Sequence, residues 1–275
     1  NSIIRNLTCS NTNTATPNIN WLVNDIKIAY NLNISGARIN LGTNKLTWGN
    51  NAAGNTFTAP AGTGFLAGGK FSRWWTTGQT GSAITAGAEP TTVTSRYPFI
   101  NAAGQSRAIY ISRSSSTVTG NVAGELAVVY SDAATVTTSL NIDDAGYIVT
   151  DRFDGSWLVT AENGYVYVSG THTVVPIATG AYPAANGNSR VLTSNAVIGG
   201  THQNGTSGPV AQRIGLSTAE LTIPTGIYIG ANTTDIFQPC SGAPTSSNSI
   251  SSVATVCSGV NFNLSLSIPY TETGI

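Results

Sequence analysis

Between Arg107 and Gly170 the chain repeats one pattern six times: Arg107–Ser112, Gly124–Ser131, Ala134–Ile142, Tyr147–Thr150, Ser156–Thr160 and Tyr165–Ser169. Each run is four to nine residues long, rich in β-branched and aromatic side chains, and bounded by Gly, Asn, Asp or Ser. Such runs fit a pleated, half-buried surface and are too short for amphipathic helices. From Ser156 to Thr160, Trp157 and Val159 fall on one face and Ser156, Leu158 and Thr160 on the other, so one face is buried. Asp143-Asp144-Ala145-Gly146, Asp154-Gly155 and Asn163-Gly164 supply residues that tolerate positive φ between runs. The region therefore predicts an antiparallel β unit, and runs about ten residues apart are the rhythm of a sandwich or jelly roll.

The chain around this unit is organised differently. From Trp21 to Trp48, the segments Asp25–Tyr30, Asn31–Gly36, Ala37–Gly42 and Lys45–Gly49 succeed one another at intervals of six to eight residues. Each offers two apolar residues and a turn, the texture of short β-solenoid rungs. A few rungs do not stand alone and must pack on the rest of the chain. Residues 1–20 read as an extended lead-in, 21–95 as a solenoid-like and loop-rich part, and 96–238 as the β-sandwich. Residues 239–275 read as a linker and terminal strand. Ser217 with Glu220 is a weak capping-box signal for one helical turn. In the tail Phe262, Leu264, Leu266, Ile268 and Tyr270 alternate with polar residues without a break except at Pro269. That segment is the last strand of this domain, the first strand of a following one, or a strand donated to a neighbour.

Only 9% of the 275 residues are charged, twelve basic and twelve acidic, while 40% are hydrophobic. That is enough for a core, and the surface is covered mainly by uncharged polar and small residues. Zero formal charge leaves no basic footprint for nucleic acid or an anionic membrane, and no apolar run is long enough for a transmembrane helix. Together with the absence of Met and a start at Asn1, this leads us to expect a processed, extracellular protein.

Chemistry-bearing residues are sparse. Cys240 and Cys257 can close a short loop, leaving Cys9 free, intermolecular, or itself the partner of one of them. No CxxC pair or clustered His suggests a metal, and no cofactor is expected. His172 and His202 read as ordinary surface or strand residues, and no GxSxG elbow occurs. Glu125, Asp151, Asp154 and Glu162 lie on or beside strands, but their spacing selects no glycosidase pair. Asp143, Asp144, Asp151 and Asp154 read as turn residues rather than calcium ligands. Trp74 and Trp75, near Arg73 and Tyr97, are the candidate ligand-contact aromatics, because exposed rings stack on sugar faces. Neighbours on a strand point to opposite faces, so at most one of the two is exposed.

Several segments resemble parts of very large surface proteins of Bacteroidota: Leu32–Gly42, Arg96–Ile100 with Arg107–Ile109, Gly200–Thr206, and Arg213–Ser217. Cys240–Thr245 through Val256–Leu266 is similar to the junction that opens their immunoglobulin-like repeats. The resemblance implies an adhesin or cell-surface filament exported by the type IX secretion system, one part of a longer fibre in which Cys257 finds its partner in residues outside this sequence. No C-terminal sorting domain of that system is recognisable here. We therefore expect a non-enzymatic structural or adhesive protein whose partners are neighbouring subunits or domains, with strand-mediated assembly. A carbohydrate-binding module that contacts surface glycans is the alternative.

Overall fold

The computed structural model describes residues 2–9, 19–50, 56–59, 64–80, 95–113, 119–144, 147–168, 170–176, 190–193, 196–197, 214–216 and 225–231. The chain divides into two units, Asn1–Thr233 and Thr234–Ile275, and all described residues belong to the first. They form eighteen strands and no helix, so the protein is all-β. In chain order these are β1 Ser2–Thr8, β2 Ile19–Trp21, β3 Ile26–Asn33, β4 Arg38–Trp48, β5 Phe57–Thr58 and β6 Phe65–Trp75. Next come β7 Arg96–Tyr97, β8 Ile109–Arg113, β9 Gly124–Ser131, β10 Val136–Thr137, β11 Ile142–Asp144 and β12 Tyr147–Val149. The last are β13 Asp151–Glu162, β14 His172–Pro176, β15 Arg190–Thr193, β16 Ala196–Val197, β17 Ile214–Leu216 and β18 Thr225–Ala231.

β1 to β6 are joined by three parallel ladders. In the first, Ile4, Ile28, Trp48 and Arg73 lie side by side in successive strands. In the second, Leu32 lies between Leu7 and Phe57. In the third, Ile39 lies between Asn20 and Leu66, and Leu66 bridges Phe99. The chain visits the three ladders in turn and returns to the first 20 to 25 residues later. This corrects the interval read from sequence. The four short runs of residues 25–49 are two long strands, β3 and β4, because one of the turn signals between them is a corner inside a strand. Gly42, with φ of 59°, bends β4 opposite Gly68 of β6, with φ of 62°, where the register shifts. Both take the left-handed conformation that only Gly adopts freely.

β6 then pairs antiparallel with β9, and the sheet continues through β13, β18, β15 and β16 to give twelve strands with the side pairings. A second sheet, β17-β14-β8-β7, is antiparallel, and β11 and β12 form a hairpin. Of the three turn signals in the central region, one is seen to end a strand. Asn163 and Gly164, with φ of 53° and 76°, end β13, while Asp143 and Asp144 of the first signal lie in β11, paired with Ile148 and Tyr147 of β12. Asp154-Gly155 does not turn the chain; β13 runs through it. A Cβ on Gly155 would lie 2.3 Å from the Phe153 ring, so the glycine makes room for an aromatic side chain.

The core follows from alternation. Inward residues of the first two ladders stack as an aromatic chain that ends on Tyr97 of β7, with Trp48–Phe57, Phe57–Phe71 and Phe71–Tyr97 centroids 5.3, 5.4 and 5.7 Å apart. In the antiparallel half, Tyr130 packs on Trp157 at 5.4 Å, and Trp157 and Val159 are buried as their shared face requires. Each such ring pair adds about 0.5–1.5 kcal/mol beyond the apolar area it buries. The core also holds a cation: Arg73 is buried, and its guanidinium lies 4.9, 5.3 and 5.4 Å from the centroids of Trp48, Phe57 and Tyr97. Its Nη1 donates to the Arg96 carbonyl at 2.9 Å.

Candidate functional site

The same alternation that buries Arg73 turns its neighbours outward. On the outer face of the first ladder, Lys27, Thr47 and Ser72 lie in one row, and Lys45 lies beside Lys70. Across the junction with the antiparallel strands, Trp74 faces Glu125, and Glu125 faces Glu162. Like charges directly opposite in a sheet repel. Here a lysine pair and a glutamate pair meet and neutralise each other. Lys45 Nζ is 2.7 Å from both Glu125 Oε2 and Glu162 Oε2, and Lys70 Nζ is 2.6 Å from Glu162 Oε1. Lys27 Nζ is 3.8 Å from Glu125 Oε1. The sequence contains three lysines, and all of them are in this cluster.

Charge and burial set the ionisation. Burial pushes the Glu162 carboxyl up, but hydrogen bonds from Lys45 and Lys70 outweigh it and hold the group below the usual carboxylate range. Burial pulls the Lys45 ammonium down, and its bonds to Glu125 and Glu162 more than reverse that. Beside the cluster lies a pocket of about 280 Å³, lined by Asp25, Lys27, Lys45, Thr47, Glu125 and Asn163, with apolar surface from Ile3 and Ile26. Asp25 Oδ1 accepts the Lys45 backbone N–H at 2.7 Å.

Of the two candidate tryptophans, Trp75 is fully buried, with Nε1 3.2 Å from the Tyr97 hydroxyl, so it contacts core and no ligand. Trp74 faces outward and is half-buried, and the Lys27 ammonium lies 5.0 Å from its ring centroid. A sugar cannot stack on the face that Lys27 covers. His172 is a strand residue, the first of β14, and is buried: its Nε2 meets the Tyr165 hydroxyl at 2.6 Å, and Tyr167 packs edge-on at 5.1 Å. The Arg113 guanidinium lies 5.0 to 5.8 Å from the rings of Trp75, Tyr165 and Tyr167, closing a polar core cluster with no opening to solvent at His172.

The structure brings Glu125 and Glu162 together, which their sequence spacing did not suggest. Asp154 is elsewhere, bonded to Thr137 at 2.6 Å and paired with Arg152 at 3.3 Å, and Asp151 is buried. Among the described residues no group of acidic, His and Cys side chains is placed to hold a metal ion, and Cys9 has no disulfide partner. Cys240, Cys257, His202, the Ser217–Glu220 capping signal and the alternating Phe262, Leu264, Leu266, Ile268 and Tyr270 lie outside the described residues. No helix among the described residues is long and apolar enough to cross a membrane. The sequence could have drawn attention to the cluster in one way, through the rarity of lysine. No protein-family model matches the chain, and no curated protein or solved structure is found to be similar to it.

Proposed function

We propose that this chain is an extracellular structural or adhesive protein, a subunit or segment of a cell-surface filament with strand-mediated assembly and no chemistry of its own. The observation that carries the reading is the sheet itself: hydrogen bonding runs without a gap from β1 through nine strands to β16. A continuous ladder over a core of stacked rings transmits force through many bonds at once, which suits a load-bearing part better than a catalyst. In finer terms, the three parallel ladders are a short β-solenoid, and the four-stranded sheet completes a sandwich with the antiparallel half. The alternating segment 261–270 is the donated strand in this scheme. Resemblance to Bacteroidota surface proteins supports export by the type IX route.

The test is electron microscopy with mass photometry on the full chain, beside a variant lacking residues 259–275. Filaments from the full chain and monomers from the truncated one support the reading; compact monomers from both defeat it. A second reading, a module that binds glycans, is favoured by the pocket of about 280 Å³ beside Lys27 and Glu125.

A further inference from the structure

The pocket beside the lysine cluster has unused hydrogen-bonding capacity on both of its key side chains. Glu125 is 3% exposed, and its Oε2 accepts from Lys45 at 2.7 Å and from Ser72 at 2.8 Å. Its Oε1 faces the Lys27 ammonium at 3.8 Å, beyond hydrogen-bond reach, and has no donor among the described residues. Lys27 carries three donors. Among the described residues these have the long contact to Glu125 and the face of Trp74, and no hydrogen bond. A carboxylate oxygen and an ammonium therefore line one pocket, within ion-pair range of each other and without a hydrogen bond between them.

The group that fits between them must accept from the ammonium and donate to the carboxylate. A hydroxyl does both. The lining balances two carboxylates, Asp25 and Glu125, against two ammonium groups, Lys27 and Lys45, so a ligand charge of either sign meets repulsion as well as attraction and gains no net advantage. Thr47 and Asn163 add a hydroxyl and an amide, each able to donate and to accept, and Ile3 and Ile26 offer apolar surface for C–H groups. We propose that this pocket binds one neutral, hydroxyl-rich sugar residue, with Lys27 and Glu125 Oε1 holding the same ligand hydroxyl. The volume suits a single residue, since pockets for larger ligands run from roughly 300 to 1,000 Å³.

Glu162, the other carboxylate of the cluster, does not line the pocket and is held ionised by its two lysines, so it has no proton to give a leaving group. This inference rests on the glycan-binding reading of the chain and names its site.

The test is saturation-transfer NMR on the full chain with glucose, galactose, mannose and fucose, and with glucuronic acid and glucosamine as charged counterparts. Wild type is expected to bind at least one neutral sugar and neither charged one. Losing a hydrogen bond to a charged group weakens binding about tenfold or more. Lys27→Ala should show that loss. Its side chain is 29% exposed, so the variant should fold, which its melting temperature checks. Glu125→Gln should show the loss too, and Val168→Ala, at an exposed site away from the pocket, should bind as wild type does. If wild type binds a sugar and Lys27→Ala binds it equally well, the pocket is the wrong site although the glycan reading stands. A preference for a charged sugar overturns the hydroxyl assignment. If no sugar binds, the glycan reading fails and the pocket assignment with it.

Discussion

At the scale of single residues, the core tolerates a cation because rings surround it. Burial pulls the Arg73 guanidinium down to about 10, which leaves it charged at neutral pH. Arg73→Ala would open a cavity between Trp48, Phe57 and Tyr97 and remove the donor to the Arg96 carbonyl, at a cost of about 3–5 kcal/mol in urea denaturation. Arg73→Met keeps the volume and removes the charge, so we expect it to lose less than half as much. Gly155→Ala should cost about 1–3 kcal/mol, because the new methyl overlaps the Phe153 ring. Gly164→Ala meets nothing within 4 Å, and its cost of about 1 kcal/mol comes from φ of 76° alone. Equal losses at the two glycines would contradict this packing.

The buried tyrosines give stability an alkaline limit. Burial pushes Tyr97 up to about 12, and holds Tyr130 and Tyr165 above the usual tyrosine value as well. In the unfolded chain all three ionise near pH 10, while in the folded chain they stay neutral. Their contribution is complete below pH 10 and lost as pH rises above it. Arg73 and Arg113 work the other way, since burial holds both guanidinium groups below their unfolded values, and they offset part of the tyrosines' fall over that range. A net fall remains. Urea midpoints that stay level between pH 9 and pH 11.5 would show that these hydroxyls are not buried.

At the scale of elements, the antiparallel half was largely legible. Runs and turn residues located β8, β9, β12 and β13, because each strand is local and its buried face follows from alternation. Gly155 misled, since a glycine that admits a neighbouring ring reads the same in sequence as a glycine in a turn. In the N-terminal half the short apolar runs suggested stacked strands, but the true repeat of 20 to 25 residues depends on which strands pair. Only the fold reveals that. The Lys–Glu cluster was invisible for the same reason: Lys45 and Glu125 are 80 residues apart, and Lys45 and Glu162 are 117 apart. That cluster joins β3, β4 and β6 of the parallel half to β9 and β13 of the antiparallel half. Glu162→Gln leaves Lys45 and Lys70 side by side without their shared counter-charge. With side chains 22% to 37% exposed, solvent screening keeps the expected cost near 1 kcal/mol, and 1 M salt should shrink it. Because Glu162 is held below the usual range, its contribution is present above about pH 4.5 and is lost as pH falls. A Glu162→Gln cost that persists at pH 3 would assign it to packing instead.

At the scale of the whole molecule, two constructions share one sheet. The parallel strands wind through three ladders at a short repeat, whereas the antiparallel strands β9, β13 and β18 pair across longer stretches of chain, and β6 and β9 join the two. Register partners lie 19 to 27 residues apart in the parallel ladders and 25 to 80 apart where β13 pairs with β9 and β18, so the parallel half should form first in refolding. Pulse-labelling hydrogen exchange after dilution from denaturant should protect β3 and β4 before β13 and β18; the reverse order would refute this. The placement of lysine makes the same asymmetry readable by proteolysis. Lys27, Lys45 and Lys70 all sit within strands, and no lysine occurs after residue 70. A lysine-specific endoproteinase needs an extended, unpaired backbone at its cleavage site, so it leaves the intact sheet whole. Each cut it makes reports an opening of the first quarter of the chain, while the remaining three quarters carry no site that could confuse the signal.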